Sequence, residues 1–153
     1  MQPSPVKRSL LKPSTKTPFH IDFDWWKQTE RDWHVFLRSL FCTEHQDAFS
    51  SMEEGEMIDW IDPETAEVKA VDGVQHALMS HCAQLPEFVN ERTAVVEAIF
   101  RTFLANGNIP MSAEDLGKRL GRSADVILRT IAGPRVYRGL RPIQNQPVSA
   151  PVV

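Results

Sequence analysis

No apolar run in this chain approaches the roughly 18 residues that a membrane-spanning helix needs, so no membrane partner is expected. Cysteine is scarce as well. Two residues, Cys42 and Cys82, are too few for a disulfide scaffold and read as thiols or metal ligands of a reducing compartment. The seven glycines fall singly, which leaves little material for a phosphate-cradling loop, and neither a dinucleotide fingerprint nor a serine elbow is found. Nothing points to an enzyme. Residues 1–17, broken by Pro3, Pro5 and Pro13, lack the apolar stretch and small-residue cleavage site of a secretory signal. The expected location is therefore cytoplasmic.

What the chain does have is the composition of a globular protein, 42% hydrophobic and 24% charged over 153 residues. That length suits one ordinary domain or two small modules sharing a core. The net charge of −3 conceals a strong asymmetry. Residues 1–20 hold four bases and no acid, residues 21–91 hold 16 acids against 4 bases, and residues 92–153 hold 9 bases against 4 acids. An acidic middle between basic ends places any polyanion contact at the ends.

The periodicity is mainly helical. Asp24 can cap a helix over residues 24–41, with Trp26, Trp33, Leu37 and Leu40 on one stripe and Trp25 and Phe36 widening it. An aromatic stripe at this spacing is ordinarily core. Thr43 and Gln46 have capping-box spacing ahead of a short helix over residues 45–49, and Ser50 with Glu53 and Ser51 with Glu54 repeat the signature. Asp62-Pro63-Glu64-Thr65 is a turn signal before an alternating Val68-Lys69-Ala70-Val71, so residues 57–71 predict a short hairpin. Residues 74–83 predict a helix stopped before Pro86. The acids Glu53, Glu54, Glu56, Asp59 and Asp62 lack the register of a calcium loop and read as a solvated face.

From Ala94 onward the signals sharpen. Ala94, Val95, Ala98, Ile99, Phe103 and Leu104 form one apolar stripe, which Asn106-Gly107-Asn108 ends. Ile109-Pro110-Met111 is short and extended. Ser112 with Asp115 opens a second helix that Gly121 breaks, and Ser123 caps a third, with Ala124, Ile127, Leu128 and Ile131 inward. Residues 135–142 alternate as a strand, turn and strand.

The order helix, short strand, helix, tight turn, helix, hairpin resembles the winged helix-turn-helix superfamily, and MSAEDLGKRLGRSADVILRTIAG looks like its two-helix unit. The resemblance covers about 50 residues and rests on pattern. It implies a mainly α fold: an N-terminal helical region with a small hairpin, followed by a C-terminal winged helix-turn-helix. It also implies DNA as the partner. The third helix would enter the major groove with Arg122, Ser123, Asp125, Val126 and Arg129, while Arg135, Arg138 and Arg141 on the wing meet phosphates and Lys118 and Arg119 flank the entry. Asp125 departs from a typical binder, since it repels phosphate unless it accepts from a base or caps the helix.

The expected division is a disordered basic arm at 1–18, an acidic helical region at 19–88, the winged helix at 89–143 and a tail at 144–153. The function expected first is a small DNA-binding protein, used in transcription regulation, with the acidic region as a dimer or partner surface. The competing reading is a non-enzymatic adaptor that docks proteins through the winged helix and the tryptophan-rich helix. A continuous positive face favours DNA; arginines scattered, or paired with Glu114 and Asp115, favour the adaptor.

Zinc is the cofactor the sequence raises. Cys42 and His45, spaced Cys-x-x-His, can supply half of a tetrahedral site, with His81 and Cys82 the preferred other half out of His76, His81 and Cys82. The second half is poorly spaced, because ligands on one helix ordinarily sit three or four apart. Satisfied core residues are the competing account. A Cys-His nucleophile pair is a further arrangement of the same residues, but no third, orienting group goes with it.

Overall fold

The computed structural model describes residues 12–48 and 57–143. The chain is mainly helical, with two small antiparallel two-stranded sheets. Among the described residues, no helix is long and apolar enough to cross a membrane. The expected tail at 144–153, the first part of the basic arm and the capping signatures at 50–54 lie outside the described residues.

The first strand, β1 (Phe19–Ile21), leads into α1 (Phe23–Thr29) and α2 (Trp33–Ser39). The single helix expected over residues 24–41 is thus two. Asp22, not Asp24, is the cap, accepting from the Trp25 N–H at 3.1 Å. The break at Glu30, which is extended at φ −122°, ψ 125°, has a packing reason. Trp26 on α1 and Trp33 and Leu37 on α2 are all buried, and a bend lets both helices turn their apolar faces onto one core. Next come α3 (Thr43–Ala48), the hairpin β2 (Met57–Ile61) and β3 (Val68–Asp72), α4 (Gly73–Ser80) and a 3-10 turn (Cys82–Gln84). The hairpin matches its expectation. Asp62 Oδ1 accepts from the Glu64 N–H at 2.8 Å and tightens the turn, and that bond holds its carboxyl below the usual range.

The remaining elements are α5 (Val95–Ala105), α6 (Ala113–Leu120), α7 (Ala124–Ile131) and β4 (Leu140–Pro142). Gly107 and Asn108 have φ of +78° and +63°, the left-handed stop read from the sequence. Ser112 and Asp115 make the full capping box of α6, and Ser123 caps α7 through the Val126 N–H. Gly121, at φ +70°, turns the chain between the two helices. They pack so closely that a Cβ on Gly117 would lie 2.5 Å from the Arg122 carbonyl oxygen.

The expected strand, turn and strand at 135–142 does not form. Residues 132–139 are irregular, and Leu140–Pro142 pairs with β1, from the other end of the chain. Phe19 also exchanges two backbone hydrogen bonds with Met111, at 2.9 and 3.1 Å. Asn108 completes the grip: its Oδ1 accepts from the Ile21 N–H at 2.8 Å and its Nδ2 donates to the Ile21 carbonyl at 2.9 Å. The reason is burial. Phe19 and Ile21 are at most 1% exposed, so β1 fills a slot that a local hairpin would leave empty. Residues 12–18, expected as part of the arm, lie against α6, with Glu114 accepting from the Thr15 hydroxyl and donating its N–H to the Thr15 carbonyl.

One cluster of buried side chains draws on both halves of the chain. Its centre is Trp26, edge-on to Trp33, Phe36 and Phe100 at 5.6–6.1 Å. His34 on α2 and Asp72, the cap of α4, form a buried pair at 3.8 Å beside it.

Removing the Asn108 side chain leaves two buried backbone groups of Ile21 without partners. Asn108→Gly, which keeps the positive φ, is expected to cost about 2–4 kcal/mol in urea unfolding. A loss below about 0.5 kcal/mol would show that β1 is held without that clamp.

Candidate functional site

Two groups of functional side chains emerge, a Cys/His cluster in the N-terminal half and a set of cations around α6 and α7.

Cys42 follows the buried Leu40 and Phe41 and precedes α3, whose first turn carries His45. The Gln46 N–H donates to the Cys42 carbonyl, so positions 42 and 45 sit three apart across a helical turn and face the same way. His81 and Cys82 come from the opposite wall. Their adjacency, unfavourable within a helix, works because the helix has ended: His81 lies at φ −125°, ψ −67°, between α4 and the 3-10 turn. That change of direction brings two neighbouring side chains to one point. Periodicity does not carry such information.

The contacts are close. Cys42 Sγ lies 3.4 Å from His45 Nδ1, 3.8 Å from His81 Nδ1 and 3.5 Å from Cys82 Sγ. One ligand atom from each of the four residues falls within 4.8 Å of the others. A tetrahedral ion with metal–sulfur bonds of about 2.3 Å and metal–nitrogen bonds of about 2.0–2.1 Å has edges of roughly 3.3–3.8 Å. The three separations from Cys42 fall in that range, so the four residues could hold a metal ion. The two imidazoles stack, with centroids 4.0 Å apart and planes at 21°. Burial pushes the Cys82 thiol up to about 11, and a bound cation would have to displace that proton. His76, the remaining candidate, is elsewhere, against the ring of Trp60 at 5.8 Å.

The cations divide into two classes. Lys118 and Arg119 at the end of α6, Arg122 in the turn, Arg129 at the end of α7 and Arg135 beyond it are all exposed. Ser123 is exposed too, but its hydroxyl is committed as the α7 cap. Arg138 and Arg141 are half-buried and held by partners within the protein. Arg138 stacks over the Phe36 ring at 3.6 Å and lies 3.9 Å from Glu30, which also accepts from the Trp26 indole N–H at 2.8 Å. Arg141 pairs with Asp22 at 2.9 Å and covers the Trp25 ring. Glu114 and Asp115, considered as arginine partners, are instead engaged by Thr15 and by the capping box. Sequence reasoning missed Asp22 and Glu30 because both partners lie more than a hundred residues away along the chain. Trp26 and Trp33 are buried in the core and Trp25 packs against it.

No protein-family model, curated protein or solved structure matches this chain.

If the cluster holds zinc, metal analysis of the purified chain gives one ion per chain, lost on Cys82→Ser; below roughly 0.2 zinc per chain the site falls. In metal-free protein the thiolate is the nucleophile, so the rate of Cys82 alkylation should keep rising past pH 9 with a midpoint near 11. A midpoint near 8.5, that of an unperturbed thiol, would contradict the burial argument.

Proposed function

We propose that the chain is a DNA-binding protein of the winged helix-turn-helix kind whose N-terminal half is stapled by a structural zinc ion. The observation that carries the reading is the α6–turn–α7 unit. It is capped at both helix starts, turned by a left-handed Gly121, closed at Gly117, and surrounded by Lys118, Arg119, Arg122, Arg129 and Arg135, all exposed. In this reading α7 is the recognition helix. Arg122, Asp125, Val126 and Arg129 face base edges, and Lys118, Arg119 and Arg135 meet phosphates. In this reading the sheet of β4 with β1 takes the part of a hairpin wing, which makes the wing short and its minor-groove role small. Arg138 and Arg141 serve the fold, since Glu30 and Asp22 already pair with them. A role in transcription regulation follows if binding is sequence-selective.

Zinc fits the donor set because thiolate and imidazole are its common ligands, and four protein ligands leave no open position, as in structural sites. Its mechanical task would be to hold α3, which buries no residue of its own.

A second reading is supported by the hairpin. Met57, Ile61 and Val68 are 55–62% exposed and, by the register Met57↔Asp72, Ile61↔Val68, lie on one face. Such a face suits a protein partner or a second copy, which is the adaptor or dimer reading.

Binding of the purified chain to random duplexes at two salt concentrations separates these. Affinity is expected to fall steeply with salt, and Arg122→Ala and Arg129→Ala are each expected to reduce the slope by about one. Arg138→Ala should leave the slope unchanged and instead lower the melting temperature. Absent or salt-insensitive retention would sink the DNA reading.

A further inference from the structure

We propose that Cys42 and Cys82 are a reversible oxidation site, at which a hydroperoxide joins the two sulfurs in an intramolecular disulfide and thereby ejects the metal. The ejection rests on the zinc reading above; the bond itself does not. The two Sγ atoms lie 3.5 Å apart, so reaching a bond of about 2.05 Å takes a shift of roughly 1.5 Å. The movement falls to Cys42. It leads into α3, which has no buried residue, whereas Cys82 is 1% exposed and fixed in the core where the 3-10 turn begins. Exposure assigns the roles in the same way. Cys42 is half-buried and meets the oxidant, and Cys82 is the resolving thiol.

The chemistry balances in two steps. The Cys42 sulfur attacks the terminal peroxide oxygen, the O–O bond breaks, and an alcohol (water, for hydrogen peroxide) leaves, giving a sulfenic acid on Cys42. The Cys82 sulfur then attacks the Cys42 sulfur, the S–O bond breaks, and hydroxide departs as water, taking the Cys82 thiol proton in the metal-free chain and a solvent proton where zinc holds the sulfurs as thiolates. In the metal-free chain two thiols and one hydroperoxide become one disulfide, one alcohol and one water; with zinc bound, two thiolates, one hydroperoxide and two solvent protons give the same products and the free ion, the sulfurs being oxidised and the peroxide oxygens reduced. A disulfide is not a thiolate, so two of the four ligands are lost, and two imidazoles alone hold the ion weakly.

The test uses the full chain treated with one equivalent of hydrogen peroxide, read by a chromogenic zinc chelator and by intact mass after denaturation. The expected result is a mass about 2 Da lower, one zinc released per chain, and reversal of both by dithiothreitol with added zinc. Cys82→Ser should instead let Cys42 gain about 16 Da as a sulfenic acid, and about 32 Da as a sulfinic acid with a second equivalent of peroxide, because the resolving thiol is gone. In the unaltered chain, gains of about 16–48 Da without the 2 Da loss, or disulfide-linked dimers, overturn the proposal. Should the chain purify without zinc and still lose about 2 Da, the disulfide stands and the zinc reading with its ejection step falls. Zinc held and then released without the disulfide overturns the oxidation site alone.

Discussion

Three residues near one end of the chain hold the architecture together. The strand Phe19–Ile21 is hydrogen-bonded on both sides, to Met111 and Asn108 on one and to Leu140–Pro142 on the other. Its two apolar side chains are fully buried. A backbone segment placed in a core must satisfy its N–H and C=O groups there, since an orphaned group costs as much as a lost hydrogen bond. Asn108 supplies what a regular strand neighbour would, from a left-handed position at the end of α5. The stop that ends that helix thus also receives the opposite end of the chain.

Once β1 is seated, Asp22 and α1 follow. The Asp22 N–H donates to the Gly139 carbonyl at 2.7 Å, and a Cβ on Gly139 would meet Trp26 Cβ at 3.1 Å, so this approach needs glycine. Trp26 then reaches the aromatic group around Phe100, and Glu30 is brought within reach of Arg138. The acidic and basic parts of the chain, distinct in composition, meet at two partly buried ion pairs, each capped by an aromatic ring. Their arginines are consequently less available to a polyanion than those on α6, α7 and the turn, whose side chains face water. The Cys/His cluster is a separate fastening. It joins the segment leading into α3 to the end of α4, a place where apolar burial supplies little because α3 contributes none.

Much of this was legible along the chain. The capping box of Ser112 and Asp115, the cap at Ser123, the stop at Gly107 and Asn108, and the hairpin around Asp62 all depend on groups within about four residues, which a linear reading sees directly. The candidate ligands Cys42, His45, His81 and Cys82 were identifiable by type, although the bend at His81 that makes adjacent ligands usable was not. The break between α1 and α2 was hidden because an unbroken stripe of tryptophans and leucines suits one helix as well as two.

What the sequence by itself determined is therefore the caps and stops of the helices from α5 onward, the hairpin turn, and the residue types suited to a cation or a phosphate. Tertiary structure decided which of them lie together. It sent β4 to β1 in place of a local hairpin, because the apolar slot beside Met111 is filled only by Phe19 and Ile21. It also paired Arg138 and Arg141 with acids, because Glu30 and Asp22 arrive beside them with that strand. Pairing energies of strands and charges depend on separation in space, and a sequence records separation only along the chain.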